Sequence, residues 1–550
     1  MVHRVVDGNS FAGRLLVGSR RYAWRVNARP GLRLFPLTAA LCAAAVVVGC
    51  SPDPDARFTA GKDQPLVISL DDLLGKAGAS AVLGVSLEPE HGNVTRRADG
   101  AYVYTPSAGY TGLDQFTVTT TDAVRLYTTD IPVLGEFGGT TVQGSGFGSA
   151  WTPVPGSTDE FYGLTDRGPN VDGPAKNEKI SPTPGFVPQI GRFKLVDNKA
   201  VLQSSIELRN KSGVPFNGQV DISASTGETI KDLQGNVLPP TDHGIDPEGL
   251  VALADGTFWV SDEYGPFLVH FDAKGTEIER LAPGSGLPKE IALRTPNQGM
   301  EGLTITPDGS TLVGVVQSAL NTPGLSGSAK EVPFARIVTV DLKTKAQKEF
   351  LYPLENPKQS KVAVSEITAL SATTFLVDER DGNLAPKSDK KIWTIDIAGA
   401  TDVGPQSTVP GATYDAEKGG LLIDGKPLET LIGVTPTADA VAALTKAGVT
   451  PVAKKSNLDL SALVVALDEK GRFFGHDKIE GIATLDGGKT IYIANDSDFG
   501  LAASQGEVPP FGLKLKTLPD GTQDTGEILA VDTTMLPAKL DGYTVKITVK

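Results

Sequence analysis

The chain has 550 residues, with 51 Lys plus Arg against 65 Asp plus Glu and a formal net charge of −14. That balance makes it a poor partner for nucleic acid or anionic lipid surfaces and a natural one for cations. Its two cysteines exclude a disulfide framework, and its length exceeds one ordinary core, so two or more domains are expected.

Residues 1–33 carry Arg4, Arg14, Arg20, Arg21, Arg25, Arg29 and Arg33 against the single acid Asp7, and the apolar run "LFPLTAALCAAAVVVG" follows. This is the basic and then apolar pattern of an export signal. The run is short for a membrane span and ends at "VVGC", so 1–49 resembles a lipoprotein signal peptide that places Cys50 for lipidation. The basic region is long for such a signal, which would put the true start codon downstream of Met1. Loss of residues 1–49 would remove seven Arg and one Asp and take the net charge from −14 to −20. Residues 50–57 then read as a polar tether, holding an exported protein to the periplasmic or extracellular face of the cell envelope by its lipid alone.

Residues 58–125 contain short alternating runs, "PLVISL", "AVLGVSL", "AYVYTP" and "DQFTVTTTD", separated by turn residues, as in a β-sandwich. "YVYTPSAGYTGLDQFTVTTTDA" resembles the last strands of a bacterial cadherin-like or Ig-like repeat, read here as a spacer or adhesion module. Asp114 and Asp122 are read as turn caps rather than calcium ligands.

From 126 to 550 one unit recurs. It begins at Asp246 ("DPEGLVALADGTFWVSDE"), Gly299 ("GMEGLTITPDGSTLVGVVQ"), Val364 ("VSEITALSATTFLVDER") and Lys478 ("KIEGIATLDGGKTIYIAND"), with a weaker copy from Asp159. In each, a Glu precedes an apolar strand, a turn follows, and a second strand ends in polar groups; the Asp-Gly turns are hairpin signals. The glutamates Glu248, Glu301, Glu366 and Glu480 lie 53, 65 and 114 residues apart, the last interval about two units. A strand-rich period of this size predicts an all-β chain with a six- or seven-bladed β-propeller. An insertion is expected near 400–465, holding the one good helix pattern, "TADAVAALTKAG" at 437–448.

Radial repetition would bring the four glutamates together at one mouth of the channel. Two carboxylates about 5 Å apart at an effective dielectric near 20 repel by roughly 3 kcal/mol, so such a ring protonates or recruits a cation. Oxygen ligands without a Cys or His cluster point to calcium, with magnesium second. The competing reading is that each Glu only caps a turn by accepting backbone N–H bonds.

The series "LTDRGPN", "DPEGL", "SDEYGP", "NQGMEGL", "FLVDERDG", "KIEGI" and "IANDS" resembles the phytase-like family of exported proteins over about 134–530. The resemblance implies a propeller with a metal-assisted phosphoester or ester hydrolase site at the channel mouth. Glu248, Glu301, Glu366 and Glu480, bordered by Asp262 and Asp496, would hold calcium. Glu263 or Glu379 would take a proton from water, while Asp166, Arg167, Arg380 and Lys478 would bind the substrate. The pairs Asp166–Arg167 and Glu379–Arg380 equally suit structural ion pairs between blades. The third copy departs from the pattern, with Ile367 where the others have Gly. His243 and His476 are read as hydrogen-bonded loop groups rather than site residues. No Gly-x-Ser-x-Gly elbow occurs, which argues against a serine hydrolase. A calcium-dependent lactonase or aryl-esterase, and a non-catalytic surface binding protein, are the alternatives; the chain is expected to be a monomer acting on a small ester or phosphoester.

Overall fold

A computed structural model describes residues 57–97, 100–224 and 227–550. The expected signal over 1–49, the lipidated Cys50 and all of the tether except Arg57 lie outside the described residues. Among the described residues, no helix is long and apolar enough to cross a membrane.

The repeats fold into antiparallel sheets arranged as the blades of a β-propeller. The first blade pairs Ala150–Pro153, Glu160–Leu164, Gln189–Val196 and Lys199–Glu207. The second pairs Pro247–Ala252, Phe258–Asp262, Phe267–Phe271 and Glu277–Pro283; the third, Met300–Ile305, Thr311–Val316, Phe334–Asp341 and Gln347–Pro353. The fourth holds Ala363–Ala369, Thr374–Arg380, Lys390–Asp396 and Ala453–Asp459. In the fifth, Ile479–Ala483, Thr490–Asn495 and Glu527–Asp532 take their outer strand, Val124–Thr129, from the other end of the chain.

Five apolar seams close the ring. Leu164 and Ile190 meet Leu250 and Val260 between blades one and two; Trp259 meets Leu303 and Leu312 between two and three; Val315 meets Ile367 and Val377 between three and four. Leu376 and Ile392 meet Ile482 and Ile493 in the next seam, and Ala494 and Ile528 return to Trp151 and Phe161. Burying one such side chain fully contributes about 1.5–3 kcal/mol, so each seam outweighs the exposed ion pairs at roughly 0–1 kcal/mol apiece.

Among the described residues the ring therefore has five blades, not the six or seven expected from spacing. The interval from Glu366 to Glu480 spans one blade step, lengthened by an insertion between the third and fourth strands of blade four. That insertion carries three short strands and the helices Leu428–Ile432 and Thr437–Lys446. Its apolar face, with Leu421, Leu428, Ala440 and Leu444, packs on Phe334 and Leu351 of blade three. Arg336 pins it there from full burial: Nη1 donates to Glu349 at 2.7 Å, Nε to Glu429 at 2.8 Å and Nη2 to the Gly419 carbonyl at 2.9 Å. A small sheet forms instead of another blade, from Val171–Asp172 and Glu178–Ile180, inserted between the second and third strands of blade one, and Thr229–Lys231 and Val237–Leu238, between blades one and two.

The sandwich also differs from a strictly N-terminal module. Asp541–Val549, the last strand of the chain, lies between Arg57–Ala60 and Gly112–Thr121 in its larger sheet. Val545, Ile547 and Val549 fill its core beside Tyr102, Tyr104, Phe116 and Val118, so the propeller does not run to residue 550. Asp114 accepts bonds from the backbone N–H groups of Glu90, His91 and Gln115 and from the Tyr104 hydroxyl, and Asp122 accepts from Ser80 N–H.

Candidate functional site

Each inner strand of the repeat enters the ring through a β-bulge, and the bulge decides where its Glu points. In blade two the pairing jumps from Pro247–Asp262 to Leu250–Val260, and in blade three from Met300–Val316 to Leu303–Gly314. In blade five it jumps from Ile479–Asn495 to Gly481–Ala494. Glu248, Glu301 and Glu480 thus sit within bulges, the irregularity that re-aims a side chain, and all three line a cavity of about 380 Å³ at the channel mouth. Blade four is offset by one residue, pairing Val364 with Glu379 and then Glu366 with Asp378. Ser365 therefore occupies the place of the mouth glutamates. Glu366 is turned between blades, where its Oε1 accepts from Leu303 N–H at 3.0 Å and Ile367 N–H at 2.8 Å.

The same offset sorts the residues that follow the second strands. Glu263, Gln317, Arg380 and Asp496 fall at equivalent positions, so blade four presents a cation where blade two presents an acid. Arg380 Nε donates to Ser365 Oγ at 3.0 Å and Nη2 pairs with Glu480. Glu379 faces away from the mouth, accepting from Tyr352 Oη at 2.7 Å and pairing with Lys454. Glu379 is thus held in a structural ion pair within blade four, with Lys454 and not with the Arg380 that was expected, and is not placed to meet a water in the cavity.

The acids gather on the side of blade two. Asp246, Glu248 and Glu263 each bring one oxygen within 4.8 Å of the others, and all are buried. Glu301 joins them, its Oε1 accepting from Gln317 Nε2 at 2.5 Å and its Oε2 buried without a hydrogen-bond partner. Burial, then the neighbouring carboxylates, raises the Glu248, Glu263 and Glu301 carboxyls well above the usual range. Among the described residues no salt bridge reaches Glu248 or Glu263. Asp246 was not singled out by sequence reasoning, although the Asp-Pro-Glu spacing to Glu248 is its signal.

The remaining predicted residues take other places. Asp262 accepts from Asp246 N–H at 3.1 Å and Tyr264 N–H at 3.0 Å, holding the loop that carries Asp246 instead of lining the cavity; burial pushes it up to about 7. Asp496 lies beside Lys478, 3.2 Å from its Nζ, which also reaches Asp498 at 2.7 Å. Asp166 lines the cavity and accepts from Gly168 N–H at 2.8 Å. Arg167 is anchored, with Nη1 donating to Glu228 Oε2 at 3.1 Å, Tyr264 Oη at 2.5 Å and Asn297 Oδ1 at 3.1 Å. His243 pairs with Asp242 at 2.7 Å, while His476 lies buried between Asp524 at 2.9 Å and Glu527 at 3.0 Å. The "GSGFGSAW" segment leads into the first inner strand; a Cβ on Gly148 would stand 1.8 Å from the Asn495 carbonyl oxygen, so glycine lets the ring close there.

The mouth is therefore polarised. One sector is a buried acidic cup in which Arg167 pairs with Asp246 at 3.5 Å, while Glu248 and Glu263 have no salt-bridge partner among the described residues and Glu301 keeps an orphaned oxygen; its oxygen donors fit a hard divalent cation. The facing sector holds Arg380 and Lys478.

A family model described as "Phytase-like: Esterase-like activity of phytase" matches residues 143–499, and one for a bacterial Ig domain matches residues 50–131. An uncharacterized secreted protein of Arthroderma benhamiae is 26% identical over 334 residues, covering 50% of this chain. The chain spans 64% of the length of that curated relative. Among solved structures, a luciferin-regenerating enzyme is similar at 10% identity and a TM-score of 0.27, covering 88% of this chain and 99% of the other. Virginiamycin B lyase from Staphylococcus aureus is similar at 12% identity and a TM-score of 0.26, covering 74% and 98%.

Proposed function

This chain belongs to the phytase-like family, whose description is esterase-like activity, and from that premise we propose that it is an exported, lipid-anchored hydrolase of phosphate or carboxylic esters. The observation that carries the reading is the buried trio Asp246, Glu248 and Glu263 facing Arg380 and Lys478 across one cavity. The relative's description as secreted and the export-type leader support the location.

Asp246, Glu248 and Glu263 would hold the cation, calcium first and magnesium second. When bound, such an ion supplies Lewis-acid polarisation of an ester oxygen and acidifies water. Arg380 and Lys478 bind and orient the anionic or developing negative oxygen opposite the acidic cup. Glu301 is the base: Gln317 fixes one of its oxygens and leaves the other to accept a proton, the arrangement of a base with its orienter. The water oxygen bonds to phosphorus or acyl carbon, and the bond to the leaving oxygen breaks. The proton taken by Glu301 passes to that leaving oxygen, giving acid and alcohol. Glu480 keeps Arg380 in place, and Asp496 with Asp498 keeps Lys478 in place.

The test is hydrolysis of p-nitrophenyl phosphate, p-nitrophenyl acetate and an aryl lactone by the purified protein, with calcium or with chelator. Turnover of one class, lost with chelator and in Glu248→Gln, is expected. No turnover, with a calcium-dependent rise in melting temperature, would instead make this a binding protein with a structural ion.

A further inference from the structure

The sandwich carries an open sheet face that the site at the channel mouth does not use. In its larger sheet Arg57–Ala60, Asp541–Val549, Gly112–Thr121 and Ala81–Leu87 lie side by side in that order. Phe116, Val118, Val545 and Ile547 fill the core. Alternation along a strand therefore turns Leu113, Gln115, Thr117 and Thr119 outward from one central strand, and Thr544, Lys546 and Thr548 from the other. Register sets these side chains in rows. Thr548 lies beside Leu113, Lys546 lies between Arg57 and Gln115, and Thr117 lies between Thr544 and Leu87.

Two features set this face apart from an ordinary solvated sheet. Leu113 is 70% exposed and Leu87 58%, and both border one hollow of about 450 Å³. The charges beside them are also sorted. Arg57 and Lys546 stand on the two strands at one side, whereas Glu88 and Glu90 follow the strand at the other. The backbone N–H groups of Glu90 and His91 donate to Asp114 at 3.1 and 3.0 Å, which fixes the acidic turn at the level of Gln115.

We propose that this face pairs with the same face of a second copy of the chain, giving a two-fold dimer in place of the monomer expected from the sequence. An isologous contact needs a patch that complements itself after half a turn. A two-fold axis running along the strands, between the two central ones, lays the basic side of each copy on the acidic side of the other. It also sets Lys546 opposite Gln115 and Thr544 opposite Thr117, and brings the two Leu113 side chains together next to the axis. An axis across the strands would stack like charges, so the charge pattern selects the first arrangement. Threonines elsewhere on the face are small enough for two sheets to approach to about 10 Å. With about 3.3 Å per residue and 4.8 Å per strand, the four strands present roughly 500 Å². Pairing would then bury about 1,000 Å² in all, which meets the lower bound for a specific contact and suits a reversible one.

Sedimentation velocity of the purified protein from about 0.1 to about 100 µM should show a monomer–dimer equilibrium with a Kd of micromolar order. Leu113→Glu changes an exposed side chain and leaves the core alone; it puts two carboxylates beside the axis and should weaken association at least about tenfold. Glu88→Lys with Glu90→Lys makes both sides of the face basic, and Arg57→Glu with Lys546→Glu makes both acidic. Each double variant alone should be monomeric, while an equal mixture of the two should dimerise, which also shows that both are folded. Wild-type protein that stays monomeric throughout that range would overturn the proposal. So would a dimer that survives Leu113→Glu and both charge reversals, or a mixture of the double variants that remains monomeric.

Discussion

Glu248 and Glu366 align in the sequence of two copies of the repeat, but the register offset leaves one carboxylate among repelling acids and the other between two backbone donors. Their substitution should therefore have opposite effects. Glu366→Ala orphans the buried N–H groups of Leu303 and Ile367, each costing about 1–3 kcal/mol, so unfolding stability should fall by roughly 2–6 kcal/mol with calcium affinity unchanged. Glu248→Gln takes one ionisable carboxyl out of a crowded cup; in chelator it should leave stability level or raised, while calcium binding weakens at least about tenfold. Denaturant titration and calcium calorimetry on both variants check this, and an equal affinity loss in Glu366→Ala would return that residue to the ligand set. His476 offers a pH test. Although burial alone would lower its pKa, the Asp524 and Glu527 carboxylates on its two nitrogens hold it up to about 9. A base whose folded pKa is raised contributes stability that is complete below its unfolded value near 6.5 and is lost as pH rises through about 9. Proton NMR should find the imidazole charged at pH 7 and titrating near 9, and the cost of His476→Gln should shrink above that pH.

At the scale of the strand, packing between inner strands explains the glycine that follows each mouth glutamate. A Cβ at Gly302 would lie 2.7 Å from the Glu366 Cα, and one at Gly249 would lie 2.5 Å from the Leu303 nitrogen. Gly302→Ala should thus push blades three and four apart and lower stability by about 1–3 kcal/mol. The measurement is thermal and denaturant unfolding against Gly309→Ala, a hairpin-turn control whose Cβ meets nothing and whose cost is confined to its positive φ. Much of this level was legible in the chain: the hairpins at Asp255-Gly256 and Asp308-Gly309, the helix at 437–446 and the radial repeat follow from turn chemistry and period. The register of blade four was not. Ser365-Glu366-Ile367 aligns by eye with Pro247-Glu248-Gly249, and only strand pairing reveals that the bulge falls one residue earlier. Ile367 was the available signal, because a large residue where others need glycine means that the backbone there does not run as in the other copies. Blade count failed for a related reason. Inserted segments lengthen the spacing between glutamates without adding strands to the ring, and a period cannot distinguish the two.

For the whole molecule, the first and last strands of the ring and of the sandwich are drawn from different parts of the chain, so the sandwich depends on the final strand where the ring does not, even though Ala81 and Leu83 of the sandwich pack on Val124 and Leu126. Val124–Thr129 closes blade five by pairing with Glu527–Asp532, so the ring is complete at residue 532. Asp541–Val549 then leaves the ring and pairs on one edge with Gly112–Thr121 and on the other with Arg57–Ala60. Removing residues 541–550 takes Val545, Ile547 and Val549 out of the sandwich core, at about 1.5–3 kcal/mol for each buried side chain, and leaves Arg57–Ala60 with no strand beside it. That loss, several kcal/mol in all, rivals the whole stability of a domain so small. The truncated protein should therefore keep its calcium affinity and any turnover while losing the sandwich. Limited proteolysis should cut within 57–121 and spare the blades, and calorimetric unfolding should lose one transition or part of its enthalpy. If the truncation instead abolished calcium binding, the sandwich would be a brace for the mouth, and the closure of the ring by Val124–Thr129 would not be enough to hold it.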